Sequence, residues 1–578
     1  MSASTDSSTT DVDGGSEDKA PLLSALFLIK FDQKVGYIIA WKRSAVDVAL
    51  DGAVEFKSLP SGLHSVKSDL VYFVHEGYAG LSAFVSGPAS EAERNAHLVA
   101  VGVLVPLSYG RLGRSWLHAR SLQKIASALA DDPSFTTPLE EYWEQHGSDK
   151  GRRDAQGSKF PARQTSENFA AQAEPWKGHS RARALSNITA ELPSEQSLPS
   201  FHPALSIMQY INVFGPLVFR LQQAALLRKR ILFIASPPVR TTCEFVYNLS
   251  VLSSIPHSVS DLLPPGSENL HRLRSLFSIG IHDIPFLEQL RSGPDDGSQS
   301  IQNDASSQGW VACTTDEILG TKTQLYDVIV TIPPAYDAAP SKRAWPTIRT
   351  SDGSLIRASQ RDVWRYKLLR HELWKHRHGN YSFDSDANSD EHAALLAQDD
   401  VEALDNLNEV YDDKVVEPMT WSQLAYSGFM WWASAGEKDA YISEIRDRDR
   451  EVLGDLSDFL PTSINIPSHS QNGTTDIGLA PHEVVQAGLH TAIIAYFHRL
   501  TSLMITGLAE MVEAADEEDI DGGELDALMV GRDDVSRIGL DGWSALDQTF
   551  IEEVLWVYFG RRAIVKGVSL ECCGVRIG

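Results

Sequence analysis

Few residue groupings in this chain could do chemistry, and spacing decides most of them. His371-Glu372-Leu373-Trp374-Lys375-His376 places two histidines around a glutamate, the side chains of a zinc-bound hydrolytic helix. That helix needs its histidines at i and i+4; here they are five apart, about 500° of helical rotation, and do not share a face. Glu517, Asp519, Asp521 and Gly522 open like a calcium loop, but the eighth position is Glu524 and the twelfth, where a bidentate carboxylate must stand, is Leu528. Asp384, Asp386 and Asn388 fail likewise, with Ser389 in the glycine's place and Leu395 at the end. No G-x-G-x-x-G or G-x-x-x-x-G-K-[ST] cradles a phosphate, no G-x-S-x-G presents a nucleophile, and Cys243 and Cys313 sit in apolar runs that read as inert packing. No metal, no cofactor and no catalytic residue is expected.

Two groupings stay open. Tyr109-Gly110-Arg111-Leu112-Gly113-Arg114 is a glycine-loosened basic turn between a strand and a helix. Its arginines read first as solvated turn residues. The alternative is an arginine finger, Arg111 or Arg114, that reaches a partner's phosphates and stabilises phosphoryl transfer. Cys572-Cys573 near the C-terminus reads as part of a closing strand, with lipidation by reversible acylation as the alternative.

The elements that must position such residues are organised around Phe214–Ser254. Leu217, Leu221, Ala224 and Ala225 recur at helical spacing; Ile231–Ala235 (ILFIA) is an apolar run without polar alternation, a strand buried on both faces; beyond Pro238, Thr241 or Thr242 can cap a helix with Phe245, Val246, Leu249 and Leu252 inward. The unit is α-β-α, part of a layered α/β domain.

Charge and composition narrow the partners. The chain has 578 residues, 43% hydrophobic, so two or three domains with linkers are expected. Three segments, 1–19, 381–418 and 513–534, carry 24 of the 26 net negative charges and read as a solvated tail and two peripheral inserts. The acidity speaks against nucleic acid. Four cysteines make no disulfide framework, which implies a reducing compartment. The polar first twenty residues are neither secretory signal nor transit peptide, and the most apolar run, Leu489–Leu508, is interrupted by His490, His498 and Arg499, so no bilayer span is expected.

In chain order, Leu26–Trp41 reads as strand, turn at Asp32–Lys34, strand; Val54–Ser58, Leu70–Val74, Ala79–Val85 and Val99–Pro106 follow as strands, and a helix over Arg114–Ala130 buries Leu122, Ile125 and Leu129. Residues 146–200 form a polar linker. Strands follow at Gly309–Thr315 and Tyr326–Ile332. The rest is mainly helical: one helix with Val363, Tyr366, Leu369 and Leu373 on a face, an aromatic one with Trp421, Leu424, Ala425, Trp431 and Trp432, a long one with Ile493, Phe497, Leu500, Met504, Leu508 and Met511, and a last one with Leu546, Phe550, Val554 and Val557 before a strand over Ala563–Ile577.

The run LLRKR followed by ILFIASPPV resembles the central segment of DENN-domain proteins of the LCHN-like branch and its fungal relatives. GAVEFKSLPSGLHSVKSDLVYF and AGLSAFV resemble that group's N-terminal segment, and GWVACTTDEIL with YDVIV its later sheet strands, apart from an extra polar loop at 292–308. The resemblance implies mixed α/β and α+β architecture: an acidic tail (1–21), a longin-like module of antiparallel strands with helices (22–145), a linker (146–200), a central DENN α/β domain (201–340) and a mainly helical region (341–578). It implies action on a Rab-family small GTPase in membrane trafficking, as a guanine-nucleotide exchange factor without a chemical active site. An activating protein using Arg111 or Arg114, the role an arginine of this region has in the similar folliculin type, and a non-enzymatic adaptor or tether are the alternatives. The expected location is the cytoplasm, with peripheral attachment to endomembranes open.

Overall fold

The computed structural model describes residues 20–32, 34–87, 97–132, 134–148, 198–292, 309–336, 343–378, 411, 413–419, 437–454, 481–518, 527–566, 570–572 and 575–577. Five strands come first: β1 (Ala25–Asp32), β2 (Gly36–Ser44), β3 (Ser68–His75), β4 (Tyr78–Gly87) and β5 (His97–Pro106). They pair antiparallel in the order β3-β4-β5-β1-β2. The first hairpin turns where expected, the Asp32 carboxylate accepting the Lys34 and Val35 N–H groups at 2.8 and 3.0 Å.

Val54–Ser58, expected as a strand, is instead a helix, α1. Leu50 and Val54, four apart, are both buried, and the Glu55 carboxylate takes the Gly52 N–H at 3.0 Å, which closes a helical turn rather than an extended run. A 3-10 turn, Ser115–His118, leads into α2 (Ala119–Asp131), which lays Leu122, Ile125 and Leu129 on β4 and β5 as the spacing predicts. A further helix, α3 (Thr137–His146), was not legible as such: Leu139, Tyr142 and Trp143 make a stripe only one turn long.

The next unit holds α4 (Ile207–Phe214), α5 (Leu217–Leu226), β6 (Ile231–Ile234), α6 (Val239–Leu252), β7 (Arg274–Ser278), α7 (Ile284–Ser292), β8 (Trp310–Thr314), β9 (Val328–Thr331), β10 (Thr347–Thr350) and β11 (Leu355–Ile356). β9, β6, β8 and β7 are parallel neighbours in that order; β10 pairs antiparallel with β9, and β11 antiparallel with β10. β6 is buried on both faces: Ile231 and Phe233 pack with Phe214, Phe245 and Leu249, and Leu232 packs on the opposite side with Leu276, Trp310 and Leu319. β3 and β7 meet at Phe73 and Phe277, so the two units share one eleven-stranded sheet, β11-β10-β9-β6-β8-β7-β3-β4-β5-β1-β2.

The remainder comprises α8 (Gln360–His378), α9 (Glu437–Leu453), α10 (Pro481–Glu518), a short parallel pair β12 (Leu528–Val530) and β13 (Ala563–Val565), α11 (Ala545–Phe559), and a hairpin of β14 (Leu570–Cys572) and β15 (Val575–Ile577). The stripe Ile493 to Leu508 on α10 is buried as expected. By length and composition its Gly488–Glu517 stretch could cross a membrane, its apolar window having a mean hydropathy of 1.3, contrary to the expectation from its His and Arg residues; 67% of that window is buried inside the protein, as in a core helix.

Several expectations need correction. Segment 513–534 is not all solvated loop: α10 runs through Glu518, and β12 and a helix, Arg532–Arg537, follow. Segment 381–418 is not all peripheral either, since Val415 is buried and Val416 bridges to Ala358. On α11 the inward stripe is Phe550, Ile551, Val554, Leu555 and Tyr558, and Leu546 faces out, because Asp547 is drawn inward by Arg220. The single closing strand over Ala563–Ile577 is three short ones. Trp421, Leu424, Ala425, Trp431, Trp432, the tail 1–19 and linker residues 149–197 lie outside the described residues.

Candidate functional site

In an open α/β sheet the exits of the parallel strands leave a crevice at the carboxyl edge, the usual place for recognition. Here those exits are residues 235–242 after β6, 279–286 after β7, 315–320 after β8 and 332–336 after β9. The β6 exit turns into α6 on one face, while the β9 exit runs toward antiparallel β10, and between them lies a cavity of about 190 Å³. Phe245, Thr242 and Ile332 form its buried floor; Pro237, Pro238, Pro333, Pro334 and Tyr336 form much of its rim.

The antiparallel unit closes one side of this edge. Gly62, at φ 84, sits so close to the Pro237 ring that a Cβ there would come within 3.3 Å of Cγ, so a side chain would both strain the backbone and crowd the contact. Lys57 Nζ forms an ion pair with Asp283 and donates to the Val74 carbonyl at 3.2 Å. The Asp283 carboxylate also takes the Gly280 N–H at 3.0 Å. The rings of Phe56 and His282 stack with centroids 3.7 Å apart.

Asp69 of β3 reaches across to the start of α6 and accepts the Val239 and Arg240 N–H groups at 2.5 and 3.3 Å. A carboxylate at a helix N-terminus satisfies orphan donors and opposes the positive dipole end. α6 therefore starts at Val239, ahead of the cap expected at Thr241 or Thr242, because its cap comes from another unit. Burial nevertheless pushes the Asp69 carboxyl above its ordinary range, against the pull of the three backbone N–H donors it accepts. Ile281 and Ile318 stand exposed along the same edge.

The residues singled out from sequence fall elsewhere. Arg111 is not a solvated turn residue: its guanidinium donates to the Ser250 carbonyl at 3.2 Å and the Ser254 hydroxyl at 2.7 Å, at the C-terminal end of α6. Burial lowers its pKa to about 10, which leaves it charged. Arg114 takes a left-handed conformation, φ 58, at the head of the 3-10 turn and is half-buried. Cys243 and Cys313 are buried with sulfurs 3.5 Å apart, and burial raises the Cys313 thiol well above its ordinary value, which suits packing. His371 and His376 share α8, Glu517 lies in the last turn of α10 and Cys572 ends β14; Asp384, Asp386, Asn388, Asp519, Asp521 and Cys573 lie outside the described residues. Among the described residues no group of three or more His, Cys, Asp or Glu is placed to hold a metal.

A second charged cluster ties the helical remainder to the sheet. Arg220 of α5 contacts Asp547 at 2.6 Å, Asp362 at 3.1 Å and Glu417 at 3.7 Å. Beside it Asp449 of α9 binds Arg361 at 2.8 Å and Arg365 at 3.0 Å. Burial pushes the Asp362 carboxyl up to about 6, against the pull of Arg220. These pairs are buried and hold helices together; sequence reading missed them because partners so distant leave no periodic signal.

Comparison with known proteins adds the family evidence. The family described as DENN domain-containing protein 11 matches residues 26–342, and a domain of unknown function, DUF4484, matches 416–527 and 521–578. DENN domain-containing protein 11 of Xenopus laevis is 34% identical over 53% of this chain and 59% of its own length, and that of Danio rerio 32% over 61% and 60%. The chain thus spans about 60% of the length of these relatives. The uncharacterized protein ANR2 of Saccharomyces cerevisiae is 22% identical over 97% of this chain and 95% of its own.

Proposed function

This chain belongs to the DENN domain-containing protein 11 family, and from that premise we propose that it is a guanine-nucleotide exchange factor for a Rab-family small GTPase in membrane trafficking, of the LCHN-like branch. The antiparallel unit, residues 22–145 with the end of α3, is its longin-like module, joined by a linker within 146–200 to the central DENN unit, 201–340, whose sheet continues through β10 and β11, and to the helical region that makes up the rest of 341–578. The protein works in the cytoplasm and at endomembrane surfaces.

The observation that carries this reading is the carboxyl edge built jointly by the two units, with Lys57–Asp283, Phe56–His282 and Asp69 fixing one against the other. Its cavity of about 190 Å³ falls below the 300–1,000 Å³ usual for small-molecule sites. A broad, rigid surface across two units suits a macromolecular partner. An exchange factor needs no general base. It binds the nucleotide-free GTPase more tightly than the loaded form, and by linkage weakens the hold on nucleotide by the same factor. The arginine-finger alternative, if it used Arg111, would require that side chain to leave the Ser250 carbonyl and the Ser254 hydroxyl, which counts against Arg111 in that role.

The test is nucleotide release and GTP hydrolysis by a panel of Rabs with the purified chain. Faster release without faster hydrolysis is expected. Stimulated hydrolysis would replace the reading with GTPase activation, and binding with neither activity would replace it with an adaptor.

A further inference from the structure

We propose that the cavity between the ends of β6 and β9 is a seat for a single uncharged side chain, aromatic or branched aliphatic, of the bound GTPase; this rests on the exchange-factor reading and adds the anchor point. Size is the first argument. About 190 Å³ is too little for a nucleotide or an ordinary cofactor, yet enough for one large side chain. Charge matching is the second. Among the described residues no carboxylate, ammonium or guanidinium lines the cavity, so a charged group entering it would be desolvated without a counter-charge from them. A neutral group meets apolar Phe245, Ile332 and proline rings, with the hydroxyls of Ser236, Thr241 and Thr242 available to a tyrosine hydroxyl.

Rigidity is the third. Two Pro-Pro pairs, 237–238 and 333–334, frame the mouth, and proline fixes its own backbone torsion, so little ordering entropy remains to be lost on binding. Interface energy concentrates where one large side chain fills such a preformed, desolvated pocket. The Gly62–Pro237 contact puts the antiparallel unit at the lip, so a partner anchored here lies over both units.

The experiment uses the full chain and the Rab that binds it nucleotide-free. Thr241→Trp and Ala235→Phe both fill the cavity, and Thr241→Val keeps its volume. Both filled variants should weaken Rab binding about tenfold or more with the thermal midpoint of the wild type, and Thr241→Val, which keeps the volume and loses one hydroxyl, should weaken it far less than Thr241→Trp. Phenol, a tyrosine side-chain mimic, should compete with the Rab on the wild-type chain, which decides the matter if the filled variants melt early. Undiminished binding by folded filled variants, or no competition by phenol where those variants fail to fold, overturns the seat while the exchange-factor reading stands. A wild-type chain that binds no Rab overturns that reading and the seat's assignment together.

Discussion

Arg111 shows how far a side chain's chemistry depends on where its donors end. In a glycine-rich turn it reads as a solvated or catalytic arginine, yet it serves as a clamp on the last turn of α6. Arg111→Ala removes two charge-assisted hydrogen bonds, while the Ser254 hydroxyl still donates to the Ser250 carbonyl at 3.0 Å, so it should lower unfolding free energy by about 1.5–3 kcal/mol. Urea melts measure this; nucleotide release per folded molecule should stay near wild type, and a selective collapse of release would give the arginine a direct role. Asp362 makes a prediction of pH dependence. Its carboxyl, raised by burial to about 6, is protonated in the folded chain and ionised in the unfolded chain between about pH 6 and roughly pH 4. The folded state binds the extra proton there, so this group adds stability as pH falls through that window and lacks it above. The span is at most about 3 kcal/mol. Asp362→Asn should flatten that part of the stability-pH curve, and an unchanged curve would count against the burial-driven shift.

At the scale of elements, β6 is the member on which two cores depend. Phe233 faces α4 and α6, with its ring 5.8 Å from that of Phe214. Phe233→Ala leaves a cavity in a site with no route to collapse and should cost about 3–5 kcal/mol, read as an early thermal midpoint; a loss under about 1 kcal/mol would show that the sheet can repack around β6. α6 is the complementary case. Its inward residues are set by its own spacing, but its first turn is completed by Asp69, 170 residues before Val239.

For the whole molecule, the question is what holds the antiparallel unit to the α/β unit. β3 and β7 share one residue pair, so side chains carry much of the joint. Lys57 and Asp283 are both largely buried, and removing one partner strands the other charge. Lys57→Met alone should cost about 3–5 kcal/mol, while Lys57→Met with Asp283→Leu should recover much of the loss because no buried charge is left unpaired. A double variant as unstable as the single one would mean that the ion pair itself, not its desolvation, secures the joint. On the exchange-factor proposal, activity should fall with the joint, since the proposed partner surface spans it.

What the sequence determined by itself is whatever local periodicity encodes. The unbroken apolar run ILFIA required a strand covered on both sides, the spacing of Leu122, Ile125 and Leu129 required a helix on a sheet, and the 493–508 stripe required a core helix, because burial of one face is written into residue spacing. Only the tertiary structure decided the rest. Val54–Ser58 became a helix through its surroundings, Arg111 turned inward to a carbonyl 139 residues and a hydroxyl 143 residues away, and Glu417, in an acidic run that reads as solvent-facing, came within reach of Arg220. The reason is physical: a charged or capping side chain is satisfied by whichever partner the fold brings within about 3 Å, and a partner more than a hundred residues distant leaves no trace in the local pattern.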